Sequence, residues 1–170
     1  MIGYFDTSAL VKLLLRDEGD AFTVREVLAA VDATFTSRIA HPEGRGALAA
    51  ARRAGRLAPR EHARAIRDLD RAISSLRVVE LHPGLARAAG DVAERFALRA
   101  LDAVHLASAL ALGGRDTVVV TWDRTLALAA TAAGLAVAPR AIRPAPSRPS
   151  CWRDGRSASA SDGVELTRGR

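Results

Sequence analysis

Cysteine occurs once in the 170 residues, at Cys151, which excludes an internal disulfide framework and any metal site built from paired thiolates. A chain that uses thiols so sparingly suits a reducing cytosol. Aromatic residues make up only 4% of the sequence, too few for a sheet that binds nucleic acid by stacking bases on exposed rings. Lysine is nearly missing as well, one (Lys12) against 24 arginines; so lopsided a ratio reflects a GC-rich coding sequence as readily as function, so arginine alone is not read as a motif. No stretch approaches the roughly 18 uninterrupted apolar residues of a membrane helix. Nor does the N-terminus show a basic segment leading into an apolar run with a cleavage site. The expected location is cytoplasmic, with no membrane partner. A phosphate-cradling Gly-rich loop and a nucleophile elbow are also missing, which removes NTPase and serine-hydrolase chemistry.

What is present fits an ordinary globule: 49% hydrophobic and 26% charged residues, in a chain long enough to bury one core. The net charge of +6 is unevenly placed, with 18 basic against 16 acidic residues over 1–138 and 7 against 3 over 139–170. The near-neutral body is expected to be the single folded domain, residues 1–138. From Pro139 onward Pro, Ser, Arg and Gly dominate, and 139–170 is expected to be a disordered basic tail, with Cys151 and Trp152 as its conspicuous residues.

Along the body, short β-favouring runs alternate with helical patterns. Ile2–Phe5 reads as a strand, followed by a helix over 8–16 and a second, capped by Asp20, to about Val31. Ala33–Thr36 reads as a strand and 38–54 as a helix closed by Gly55. Pro59 opens an amphipathic helix with Ala63, Ile66, Leu69, Ile73 and Leu76 on one side. Val78–Leu81 is a strand, 85–98 a helix, and Leu101–Leu112 a helix apolar on nearly every face, hence buried. Thr117–Thr121 is the clearest strand. A helix over 126–133 closed by Gly134 and a strand at 135–137 complete the pattern. Strand–helix alternation predicts parallel βαβ units, that is, a three-layer α/β/α sandwich with a central, mainly parallel sheet.

Four acids stand where strands end or helices begin: Asp6, Glu43, Asp102 and Asp123. In a parallel α/β sheet those positions share the carboxyl edge of the strands, where such folds bind ligands. Each acid alone has a structural reading as a helix cap, a turn former or a complement to a helix dipole. Together they would repel one another in a partly buried site unless a cation neutralised them, and hard oxygen donors select Mg²⁺ or Mn²⁺. Such an ion suits phosphodiester hydrolysis by activated water, with one or two ions.

The segments Tyr4-Phe-Asp-Thr-Ser-Ala-Leu-Val-Lys12, Thr36-Ser-Arg-Ile-Ala-His-Pro-Glu43, Leu98-Arg-Ala-Leu-Asp-Ala-Val-His-Leu-Ala-Ser-Ala-Leu110 and Val119-Val-Thr-Trp-Asp-Arg-Thr-Leu126, in that order, give the chain its resemblance. It resembles PIN-domain ribonucleases, specifically VapC-type toxins of VapBC toxin–antitoxin pairs. The resemblance implies a Mg²⁺-dependent endoribonuclease (Mn²⁺ an alternative) with catalytic acids Asp6, Glu43, Asp102 and Asp123. Asp6 and Asp102 would be direct metal ligands, while Glu43 and Asp123 would act through water or a second ion. Ser8 and Thr121 would orient carboxylates and substrate, although Ser8 could equally cap a helix and Thr121 be an ordinary strand residue. It further implies an RNA substrate, a VapB-like antitoxin and a homodimer. Pro42 and Gly44, flanking Glu43, depart from the expected helical surroundings, because Gly costs about 1 kcal/mol in a helix relative to Ala.

Other residues carry two readings each. His105 lies one turn beyond Asp102 on the same helical face, and is either a catalytic group or a histidine satisfied within a packed helix. His41, His62 and His82 show no metal-ligand spacing. Trp122 could stack a base or pack against the sheet; Arg38, Arg45, Arg99 and Arg124 are candidates for phosphate contacts or solvated charges. Two other functions compete. A non-catalytic PIN-like module would use the acids to hold an ion or a partner's arginines, and a phosphatase would use Asp6 as nucleophile but usually has a second Asp where Ser8 stands.

Overall fold

The computed structural model of the chain describes residues 1–15, 18–113 and 116–139. The expected tail beyond Pro139, with Cys151 and Trp152, lies outside the described residues, as do Arg16 and Gly114. Among the described residues the elements run β1 (Ile2–Phe5), α1 (Thr7–Leu14), α2 (Glu18–Ala30), β2 (Ala33–Ser37), α3 (Ala40–Arg53), α4 (Pro59–Ser74), β3 (Arg77–Val79), α5 (Pro83–Phe96), α6 (Ala100–Leu110), β4 (Thr117–Val120), α7 (Arg124–Ala132) and β5 (Ala136–Ala138).

The five strands form one sheet in the order β3-β2-β1-β4-β5, and every pairing is parallel. The sheet is thus wholly rather than mainly parallel. Successive side chains of a strand face opposite ways, and in the two central strands both faces are apolar. Tyr4 and Val119 join the core with Leu85, Leu106 and Leu126, from α5, α6 and α7. Phe5 and Val120 join the other core with Leu10, Val24, Leu48 and Leu69, from α1 to α4. Helices therefore cover both faces, and the three-layer α/β/α architecture follows from that alternation.

Several expectations are corrected in detail. Asp20 does not cap α2; it sits within the helix, 2.6 Å from Lys12 Nζ. On α4 the buried stripe is Ala65, Leu69 and Ile73, with Ala63 exposed. The strand at Val78–Leu81 is Arg77–Val79, already ended when Leu81 is reached. Leu101 of the otherwise buried α6 is 49% exposed. Gly44 has a packing reason: a Cβ there would lie 2.8 Å from Leu69 Cδ2, so the glycine lets α3 approach α4. This close approach accounts for a residue that helix propensity alone disfavours.

Candidate active site

Because β1 and β4 are paired with Phe5 opposite Val120, the residues that follow them, Asp6 and Thr121, emerge side by side. Thr121 Oγ1 donates to Asp6 Oδ2 at 2.9 Å. Ser8 Oγ donates to Asp6 Oδ1 at 2.8 Å and reaches Oδ2 at 3.0 Å, and the Ala9 N–H donates to Oδ1 at 2.9 Å. Asp6 is thus the N-cap of α1 and, at 4% exposure, a carboxylate fixed from several directions. Burial pushes its pKa up, against the opposing pull of His105 and of the bonds from Ala9, Ser8 and Thr121. Of the two readings of Ser8, the helix cap is corrected. Its hydroxyl holds Asp6 and accepts the Trp122 N–H at 2.7 Å, while the capping itself is done by Asp6.

Asp123 caps α7, accepting the Leu126 N–H at 2.8 Å, and its own N–H donates to Thr121 Oγ1 at 2.9 Å. Asp102 lies in the first turn of α6, where Arg99 rather than an acid is the N-cap. Its pKa is raised by burial first, then by the charges of Asp123 and Glu43, with His105 and Arg99 opposing.

Glu43, in the first turn of α3, takes two hydrogen bonds on one oxygen. Thr7 Oγ1 donates to Oε2 at 2.6 Å, and His105 Nε2 is 2.7 Å from the same atom. Burial raises the Glu43 pKa, but the bonds from His105 and Thr7 outweigh it and hold the carboxyl below the ordinary glutamate range. His105 is, as its structural reading holds, a satisfied histidine of a packed helix at 3% exposure. The groups that satisfy it are nevertheless Glu43 and Tyr4.

Asp6, Ser8, Thr121 and Asp123 therefore form one network, Glu43, Thr7 and His105 a second, and Asp102 lies close enough to Asp123 and Glu43 to feel their charge. Among the described residues, no three Asp, Glu, His or Cys side chains converge as a ready-made cation cage. Of the arginines, Arg38 is engaged with Glu80 through Nε at 2.9 Å and through Nη2, which removes it from the free phosphate contacts, whereas Arg45, Arg99 and Arg124 are exposed. Trp122 packs against the Phe5 and Val120 core rather than standing out as a stacking surface. His41 is 3.0 Å from Asp70, and His82 Nδ1 accepts the Leu85 N–H.

Sequence reasoning passes over Thr7 and Tyr4. Thr7 is overshadowed by its neighbours in Asp-Thr-Ser. Tyr4 carries one available signal: as the one tyrosine of the chain, in a strand expected to be buried, its hydroxyl needs a partner.

An all-parallel sheet with acids at the carboxyl edge agrees with what comparison shows, for residues 3–132 match the PIN domain. The chain belongs to the PIN-domain family. It is 46% identical over 141 residues to ribonuclease VapC45 of Mycobacterium tuberculosis, covering 83% of this chain and 97% of that relative. Among solved structures, PAE2754 of Pyrobaculum aerophilum is similar with a TM-score of 0.58 and 27% identity, over 76% of this chain and 87% of that one. A toxin–antitoxin complex from Klebsiella pneumoniae shares the fold, with a TM-score of 0.51 and 17% identity over 71% and 86% of the two chains.

The donor set of this PIN domain suits a hard divalent cation. The acids and the hydroxyls bonded to them are oxygen donors with no thiolate among them, and the one imidazole, of His105, is engaged by Glu43 and Tyr4. Asp102 also carries a like-charge burden from Asp123 and Glu43 that a cation would relieve. No helix among the described residues is long and apolar enough to cross a membrane.

Proposed function

We propose that this chain is a divalent-metal-dependent endoribonuclease of the VapC type, the toxin of a toxin–antitoxin pair, cutting RNA phosphodiester bonds by hydrolysis in the cytoplasm. What supports the reading is that Asp6, Glu43, Asp102 and Asp123 each stand at the start of a helix, with Asp102 near enough to Asp123 and Glu43 to feel their charge, in a chain 46% identical to a protein named a ribonuclease. An edge so rich in carboxylates repels phosphate by itself, so a polyanion requires a cation there.

Mg²⁺, with Mn²⁺ as an alternative, would be held by Asp6 and Asp102, with Glu43 and Asp123 acting through water or a second ion. When bound, such an ion supplies Lewis-acid stabilisation of charge on a phosphoryl oxygen and lowers the pKa of water. The chain's own residues supply the rest. Ser8, Thr121 and the Ala9 N–H keep the Asp6 carboxylate in one orientation. Thr7 and His105 keep Glu43 ionised, as an acceptor able to take a proton from an attacking water. Arg99 and Arg124, both exposed, would meet phosphates that flank the scissile bond.

By the same kinship the partner is a small VapB-like antitoxin that covers this edge, and the toxin is a homodimer. Purified protein should cleave RNA with Mg²⁺ or Mn²⁺ and stop with EDTA, and Asp6→Asn or Asp102→Asn should abolish cleavage while leaving the circular dichroism spectrum unchanged. Full activity in either variant would overturn the assignment. Ion binding without turnover would favour the non-catalytic module.

A further inference from the structure

Behind Glu43 runs a line of polar side chains that reaches Tyr4, a residue to which the nuclease reading gives no task. Tyr4 Oη is 2.8 Å from His105 Nδ1, His105 Nε2 is 2.7 Å from Glu43 Oε2, and Thr7 Oγ1 is 2.6 Å from that oxygen and 3.2 Å from Nε2. The residues come from β1, α6, α3 and α1, with Tyr4 and His105 101 positions apart. Tyr4 is fully buried and its ring meets the imidazole edge-on, centroids 5.9 Å apart.

The Glu43 carboxylate only accepts, so the 2.7 Å contact places a hydrogen on His105 Nε2, and Nδ1 of the neutral ring is then the acceptor that the Tyr4 hydroxyl meets at 2.8 Å. Glu43 thereby receives a donor from the ring without the ring having to be charged. Thr7 supplies a second donor to the same oxygen, so Oε2 is the anchored atom.

We propose that His105, its Nδ1 engaged by the Tyr4 hydroxyl, is a positioning residue that fixes Glu43 through Nε2–H and so holds its carboxylate in place. The functional consequence rests on the nuclease reading of Glu43; the tautomer and the bond do not. Partners of this kind, which hold a carboxylate that serves a metal site, affect metal affinity or activity by about 10- to 100-fold when removed.

Three measurements test the proposal. In ¹⁵N-histidine-labelled wild-type protein at neutral pH, the ring nitrogen shifts should show His105 as the Nε2–H tautomer; the Nδ1–H tautomer would overturn the proposal. His105→Asn keeps an acceptor near Tyr4 but cannot reach Glu43, whereas His105→Gln restores a donor at the reach of Nε2. Mn²⁺ binding followed by electron paramagnetic resonance should weaken, and kcat on RNA fall, by about 10- to 100-fold in His105→Asn, with KM for RNA unchanged and most of both losses recovered in His105→Gln. His105→Asn equal to wild type in Mn²⁺ binding and kcat would sink the idea. The tautomer measurement needs no variant, so it decides even where His105→Asn does not fold. Tautomer and Mn²⁺ binding are read without RNA, so wild-type protein that shows both yet leaves RNA intact counts against the nuclease assignment alone.

Discussion

Thr121 Oγ1 donates a 2.9 Å hydrogen bond to Asp6 Oδ2, tying the residue after β4 to the residue after β1. The same oxygen accepts the Asp123 N–H, so one hydroxyl sets the position of two of the four acids. Thr121→Val keeps the shape of the side chain but leaves a buried carboxylate short of a donor and an amide short of an acceptor. The expected loss is about 1–3 kcal/mol, with Thr121→Ser close to wild type. Urea denaturation of the three proteins checks both statements, and a Val variant as stable as wild type would contradict them.

Gly44 and Gly46 occupy the same helix, α3, in opposite surroundings. A Cβ on Gly44 would lie 2.8 and 3.0 Å from the methyls of Leu69, which is fully buried, while a Cβ on Gly46 would meet nothing within 4 Å. Gly46→Ala is therefore expected to stabilise by about 0.5–1 kcal/mol through helix propensity. Gly44→Ala gains the same propensity but overpacks the α3–α4 contact, at about 1–3 kcal/mol, and is expected to destabilise. Opposite shifts in melting temperature support this; a rise in both would show that Leu69 yields freely.

Gly44 also marks the limit of what a sequence discloses. Its place in a helix looks unfavourable until the side chain of Leu69 is seen against it, and nothing in the order of residues pairs positions 44 and 69. The sheet was easier to read, since runs such as Thr117–Val120 fit only a strand covered on both faces. Asp6 and Asp123 were legible because they directly follow strand signals. Asp102 falls at a helix start, as the apolar run after it predicts, but Arg99 takes the N-cap, so the capping reading of this acid is corrected. The link from Tyr4 through His105 to Glu43 was beyond reach: it depends on α6 packing over the carboxyl half of β1, a tertiary contact that periodicity does not encode.

Asp102 illustrates a conflict between stability and the proposed chemistry. Burial, then Asp123 and Glu43, raise its pKa, so the folded protein holds this proton more tightly than the unfolded chain does. Stability is then lost as pH rises from the ordinary aspartate value through the raised one, and the full penalty stands at neutral pH. In EDTA, Asp102→Asn should melt above wild type at neutral pH and lose that advantage in acid. Added Mg²⁺ should raise the melting temperature of wild type by mass action and that of the variant much less. A variant that melts lower at neutral pH in EDTA would refute the electrostatic account.

Glu43 has the opposite sign. Burial raises its pKa, but the hydrogen bonds from His105 and Thr7 prevail and hold it below the ordinary glutamate value. A depressed folded pKa contributes stability that is fully present above the unfolded value, about 4.3, and is lost as pH falls through the folded one. Denaturation curves of wild type and Glu43→Gln, measured without divalent cation, should therefore be furthest apart near neutrality and draw together as pH falls below the ordinary glutamate value. Thr7→Val in the otherwise wild-type chain removes one of the two donors to Oε2, so the Glu43 carboxyl, followed by ¹³C NMR, should titrate at a higher pH than in wild type. An unchanged Glu43 titration in Thr7→Val would mean that Thr7 does not hold the carboxylate in solution.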